Sequence, residues 1–117
     1  MGYIDGVIVA VETAKKQEYI DFAKGTAAAF KKHGALSAIE CWGDDIPDGK
    51  VTSFGMAVKC KENESVVFSW IMWPDKETRI KAWPAIEEDE ALAGLFSDMP
   101  FDGARLIYGG FEVVVNE

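Results

Sequence analysis

A chain of 117 residues, 49% hydrophobic and 27% charged, has the size and composition of one packed domain over 1–117, with no room for a second core. Twelve basic against twenty acidic side chains leave a net charge of −8. That balance repels nucleic-acid phosphates and anionic lipid, so neither nucleic acid nor a membrane is expected as a partner. No apolar run reaches the roughly 18–20 residues of a bilayer span, and Met1-Gly2-Tyr3-Ile4-Asp5 has no basic region ahead of an apolar stretch. The expected location is the cytoplasm. Two cysteines, Cys41 and Cys60, and one histidine are too few for a disulfide scaffold or clustered metal ligation, and no metal or cofactor is expected.

Residues 3–11 are rich in β-branched side chains and predict a first strand. From Ala14 to about Lys32 the spacing is helical, with Thr13 as a cap and an apolar stripe through Tyr19, Ile20, Phe22, Ala23, Ala27 and Phe30. Lys31-Lys32-His33-Gly34 stops it: cations near the negative end of the dipole, then a glycine suited to a left-handed turn. His33 reads there as a capping cation. A second strand is predicted over 35–43, followed by turn residues from Asp44 to Gly49.

Residues 51–60 fit either a short helix capped by Thr52 or a strand with Phe54, Met56 and Val58 on one face. Residues 65–73 predict a third strand, and Pro74-Asp75 ends it and opens a second helix with Asp75 as N-cap. Pro84 falls inside that helical pattern, where a missing N–H predicts a kink or a split, the second piece running to Phe96. After a turn over 99–103, residues 105–115 form the last strand, interrupted by Gly109-Gly110.

The resulting order is a βαββαβ unit: an α+β, ferredoxin-like antiparallel sheet with both helices on one face. Such a sheet should alternate apolar and polar residues. Here Val7, Val9 and Val11 share one parity and Ile4, Ile8 and Ala10 the other, and residues 66–73 behave alike. Both faces want burial, and the two helices cover one. A large apolar side chain gains about 1.5–3 kcal/mol on burial, so a second copy stacked sheet to sheet, a homodimer, is expected.

Several stretches carry a family resemblance: Tyr3-Ile4-Asp5-Gly6, Glu40-Cys41-Trp42, Pro47-Asp48-Gly49-Lys50-Val51, Met56-Ala57-Val58-Lys59, Val66-Val67-Phe68-Ser69-Trp70, and Met99-Pro100-Phe101-Asp102-Gly103 through Tyr108-Gly109-Gly110-Phe111. Together they span almost the whole chain, which resembles the YbaA-like bacterial family of unknown function. The resemblance implies membership of the dimeric α/β-barrel superfamily, in which ferredoxin-like subunits pair their sheets into a barrel. Other branches of that superfamily include cofactor-free monooxygenases, isomerases, haem-handling enzymes and ligand-sensing modules, so the fold leaves function open. Trp83-Pro84 departs from the continuous helix expected there.

The candidate ligand-binding residues are Glu40, Trp42, Trp70, Arg105 and Tyr108. Glu40 shares a strand face with Trp42, and on an interior face its carboxylate needs a partner or takes a raised pKa. Arg105 or a tyrosine hydroxyl could be that partner. Trp42, Trp70 and Tyr108 would wall a pocket for a flat or apolar molecule, or would serve core and interface packing. Asp102 and Arg105 are placed to fix a turn. The expected function is small-molecule binding in a barrel or sheet–helix pocket, with a cofactor-free enzyme such as a monooxygenase or isomerase as its catalytic form. The alternative is a non-enzymatic homodimeric interaction or stress-related module.

Overall fold

The β-branched runs become strands. In the structure, a computed structural model describing residues 2–117, they are β1 (Tyr3–Glu12), β2 (Ser37–Trp42), β3 (Glu64–Trp73) and β4 (Ile107–Glu112). All neighbours run antiparallel in the order β2-β3-β1-β4, putting β1 and β3 at the centre. Helix α1 (Lys16–Lys32) follows β1, a single turn α2 (Phe54–Ala57) precedes β3, and α3 (Lys76–Glu88) follows it. The chain is therefore α+β, in the expected order and compatible with the ferredoxin-like arrangement.

Register decides which side chains share a face. Val9 lies opposite Val67, Val7 opposite both Ser69 and Tyr108, and Glu40 opposite Ser69. The odd residues of β1 and β3 thus join the even residues of β2 and β4 on the face that carries α1 and α3. Two apolar clusters form there. One joins Val9, Val11 and Val67 to Tyr19 and Ala23 of α1. The other joins Ile71 and Trp73 to Phe30 of α1 and to Ala82 and Ile86 of α3.

Five local expectations change. Thr13 does not cap α1; it opens a short 3-10 turn, and its hydroxyl instead meets Ser65 Oγ at 2.8 Å. Within residues 51–60 the helical alternative holds only as the single turn Phe54–Ala57, capped by Ser53 instead of Thr52, the Ser53 hydroxyl accepting from the Met56 N–H. Helix α3 runs unbroken through Pro84 and ends at Glu88. Pro84 lies on the exposed side of that helix, as does Ile80 one turn earlier. Water can satisfy the carbonyl that a proline leaves without a donor there. Beyond α3, Glu90–Leu92 form only a 3-10 turn, not a second helix to Phe96.

Strand β4 is continuous across Gly109-Gly110. A Cβ on Gly110 would stand 2.5 Å from the Tyr3 hydroxyl, so the glycine admits the Tyr3 ring. The fifth correction concerns the second sheet face. The segment around α2 folds under one end of it, burying Val58 completely against Ala10 and Val66. The rest of that face stays open, with Phe68 41% and Phe111 60% exposed.

Candidate functional site

The two apolar clusters do not meet. Between them α1, α3, the 96–106 segment and the sheet enclose a cleft of about 620 Å³. Its floor is polar. Asp5, Thr26 and Ser69 are the buried polar residues among those described, at 3%, 6% and 4% exposure, and all three line this cleft. Buried polar groups need partners, and these have them. Thr26 Oγ1 donates to the Ala23 carbonyl at 3.0 Å, turning a mid-helix hydroxyl back onto its own helix.

Asp5 accepts from Trp73 Nε1 at 2.9 Å and from Arg79 Nη2 at 2.8 Å, with Arg79 Nε in a bifurcated contact at 3.1 and 3.2 Å. The guanidinium lies over the Tyr3 ring, 5.6 Å from its centroid. This carboxylate and guanidinium thus neutralise each other at the floor.

At the opposite end stands Glu40. Its carboxylate accepts from the Tyr19 hydroxyl at 2.5 Å. Glu40 occupies an edge strand and is exposed as a residue, whereas Tyr19 is buried at 5%. Partial desolvation raises the Glu40 pKa above the ordinary carboxylate value, opposed by hydrogen bonds from Tyr19 and Ser69. Burial pushes the Tyr19 phenol far up, with the Glu40 charge adding to it, so Tyr19 stays a proton donor in this pair. The upper wall is aromatic. Tyr19, Phe22 and Phe101 have centroids 5.7–6.2 Å apart, and Phe96 meets Phe22 edge-on at 6.4 Å.

The structure brings three of the five candidate residues to this helix-covered face. Glu40 and Trp42 adjoin Tyr19, Trp42 at 6.2 Å between ring centroids and with Lys16 Nζ 5.5 Å above its own ring. Tyr108 lines the cleft rim and is 73% exposed. Trp70 lies on the opposite face, packed against Phe68 at 5.6 Å.

Arg105 is not the partner of Glu40. It sits in a 3-10 turn, Gly103–Arg105, and grips Glu64 with Nη1 and Nη2 at 2.8 and 2.7 Å, Asp102 with Nε at 3.0 Å, and the Lys59 carbonyl at 2.8 Å. The expected Asp102–Arg105 contact is present. The tyrosine alternative for Glu40 is met by Tyr19. Sequence pattern alone does not mark Thr26, Ser69 or Arg79 as parts of this site. Only Asp5 gave a signal, an acid within an otherwise apolar strand at the parity of Val7 and Val9. Among the described residues, no group of three His, Cys, Asp or Glu side chains is placed to hold a metal, and no helix is long and apolar enough to cross a membrane.

A four-stranded antiparallel sheet with two helices on one side and a polar-floored cleft between them defines an α+β protein of the ferredoxin-like kind. Residues 2–103 match the family described as a protein of unknown function, DUF1428, and the chain belongs to that family. It is similar to the uncharacterized protein YbaA of Escherichia coli strain K12 and to that of Shigella flexneri, with 51% identity over 117 residues covering 100% of each chain.

Proposed function

We propose that the cleft between helices and sheet is a small-molecule binding site. The observation that carries this reading is the placement of all three buried polar residues among those described, Asp5, Thr26 and Ser69, around one cavity that parts the core in two. A structural core of this size gains most by closing over apolar contacts, because interiors are close-packed and large voids are rare. A cleft of about 620 Å³ falls instead in the range of ligand pockets, which combine apolar walls with a few convergent polar groups. Its apolar walls are Phe22, Phe96 and Phe101, and its polar groups are Glu40, Tyr19 and Ser69. In a catalytic form of this reading Glu40 exchanges the proton, since its pKa is displaced upward and its neighbour Tyr19 holds it in position.

The open sheet face supports a second element of the proposal, a homodimer through that face. Its exposed surface includes Ile39, Phe68, Ile107 and Phe111, and a soluble monomer rarely leaves so contiguous an apolar patch to water. Native mass spectrometry of the purified chain tests both elements at once. The expected spectrum shows two chains per particle, each taking up a small apolar molecule. A ligand-free single chain, unaffected by aromatic fragments added at millimolar concentration, would overturn the reading in favour of a module with no ligand.

A further inference from the structure

The charge inventory of the cleft narrows what it takes. Four ionisable side chains of fixed sign line it: Asp5, Glu40, Glu87 and Arg79. Among the described residues that line it Arg79 is the sole cation, and two of its nitrogens are spent on Asp5. Among the described residues neither Glu40 nor Glu87 takes part in an ion pair. The uncompensated charge inside the cleft is therefore negative, in a chain that carries −8 overall.

Glu40 also lines a smaller neighbouring pocket with Lys16 and Lys24, but the lining it shares with the cleft is aromatic and holds no lysine among the described residues. Tyr19, Phe22 and Phe101 cluster with ring centroids 5.7–6.2 Å apart, and an aromatic face attracts a cation through its quadrupole. One such contact already stands beside Glu40, Lys16 over the Trp42 ring.

We infer that the cleft selects a hydrophobic organic cation, an amine or quaternary ammonium on an apolar or aromatic body, with its charged head seated between Glu40 and the rings of Tyr19, Phe22 and Phe101. This rests on the small-molecule reading of the cleft and adds the sign of the ligand to it. An anionic ligand in the cleft would meet Glu40 and Glu87, and among the described residues lining it the one cation, Arg79, is already paired with Asp5. A neutral one would forgo the carboxylate.

Three compounds sharing a benzyl body separate the cases by isothermal calorimetry: benzyltrimethylammonium, benzyl alcohol and phenylacetate. Working at 0.3 M salt shortens the Debye length to about 6 Å, so that the overall charge does not dominate. The cation is expected to bind at least tenfold more tightly than phenylacetate and measurably more tightly than the alcohol. Glu40→Gln, which keeps an acceptor for the Tyr19 hydroxyl, should weaken the cation at least fivefold and leave the alcohol unchanged. Phe101→Leu, which keeps apolar volume, should weaken the cation more than the alcohol.

Equal binding of all three compounds, tighter binding of phenylacetate, or an unaltered cation affinity in both variants would overturn the inference while leaving the cleft a binding site. Failure of all three compounds to bind would remove the binding site itself.

Discussion

Asp5 sits 3% exposed on a central strand, and three nitrogens hold it there: the indole of Trp73 and two from Arg79. Removing the Trp73 donor leaves the buried Asp5 Oδ2 with only the longer 3.2 Å contact from Arg79 Nε, and an under-satisfied buried oxygen costs more than the bond itself contributed. Trp73 is also the largest fully buried side chain. Trp73→Phe should therefore destabilise the fold by about 2–3 kcal/mol, from the lost donor and the space left by the smaller ring. Urea unfolding followed by circular dichroism measures this. A loss below about 0.5 kcal/mol would mean that the Asp5 oxygen finds another donor. The same residues mark a limit of reading a sequence alone. Glu40 and Trp42 were legible as face-sharing neighbours because strand parity is local. Ser69 and Arg79 were not, because joining them to Asp5 requires the strand register and the docking angle of α3. Trp70 illustrates the same gap, since parity within β3 is plain from the sequence but which parity faces the helices is not.

At the scale of elements, two carboxylates act as pins. Asp89, just past α3, accepts from Lys32 Nζ at 2.7 Å and lies 2.9 Å from His33 Nε2, tying the end of α3 to the end of α1, while its other oxygen caps the next turn through Ala91 N–H. Glu64 opens β3 and is gripped by Arg105 ahead of β4. Hydrogen bonding from Lys32 first, then His33, lowers the Asp89 pKa to about 2, and that from Arg105 lowers the Glu64 pKa to about 2. A carboxylate whose folded pKa is depressed contributes stability above its unfolded value near 4, and that contribution disappears as pH falls towards 2. The melting temperature should consequently fall between pH 4 and pH 2, and Asp89→Asn or Glu64→Gln should each flatten that slope while lowering stability at neutral pH. An unchanged slope in both variants would show that these pins do not couple to folding. Glu40 contributes with the opposite sign, since its raised pKa favours the folded state at low pH and disfavours it once ionised. Strands and main helices were readable from β-branched runs, helical spacing and the Asp75 cap. Pro84 misled because its cost depends on whether the freed carbonyl reaches water. The ambiguity over 51–60 closed only through Val58, a residue buried by tertiary packing.

For the molecule as a whole, the open sheet face sets the expectation. From Ile4 to Ala10, Val66 to Met72, Ser37 to Cys41 and Ile107 to Phe111, the positions of this parity carry no Asp, Glu, Lys or Arg, although 27% of the chain is charged. Random placement does not leave such a face neutral, and selection for solubility works against it. With strands about 4.8 Å apart and about 3.3 Å per residue, four strands of up to ten residues span about 19 by 33 Å. That approaches the roughly 800 Å² per partner of a standard stable interface. Val114 and Val115, 76% and 71% exposed beside the same face, extend it. A charge placed on it would have to be desolvated on association, at several kcal/mol without a partner. Phe111→Asp should thus convert a two-chain particle to a single chain by light scattering, while leaving far-ultraviolet dichroism intact, since Phe111 is already 60% exposed within one subunit. Cys41 supplies an internal reporter: it is exposed on the same face of the single subunit. Its alkylation should be slow in the parent chain and fast in Phe111→Asp. Equal rates, together with a single-chain mass for the parent, would sink the stacked arrangement and leave the helix-side cleft to stand on its own.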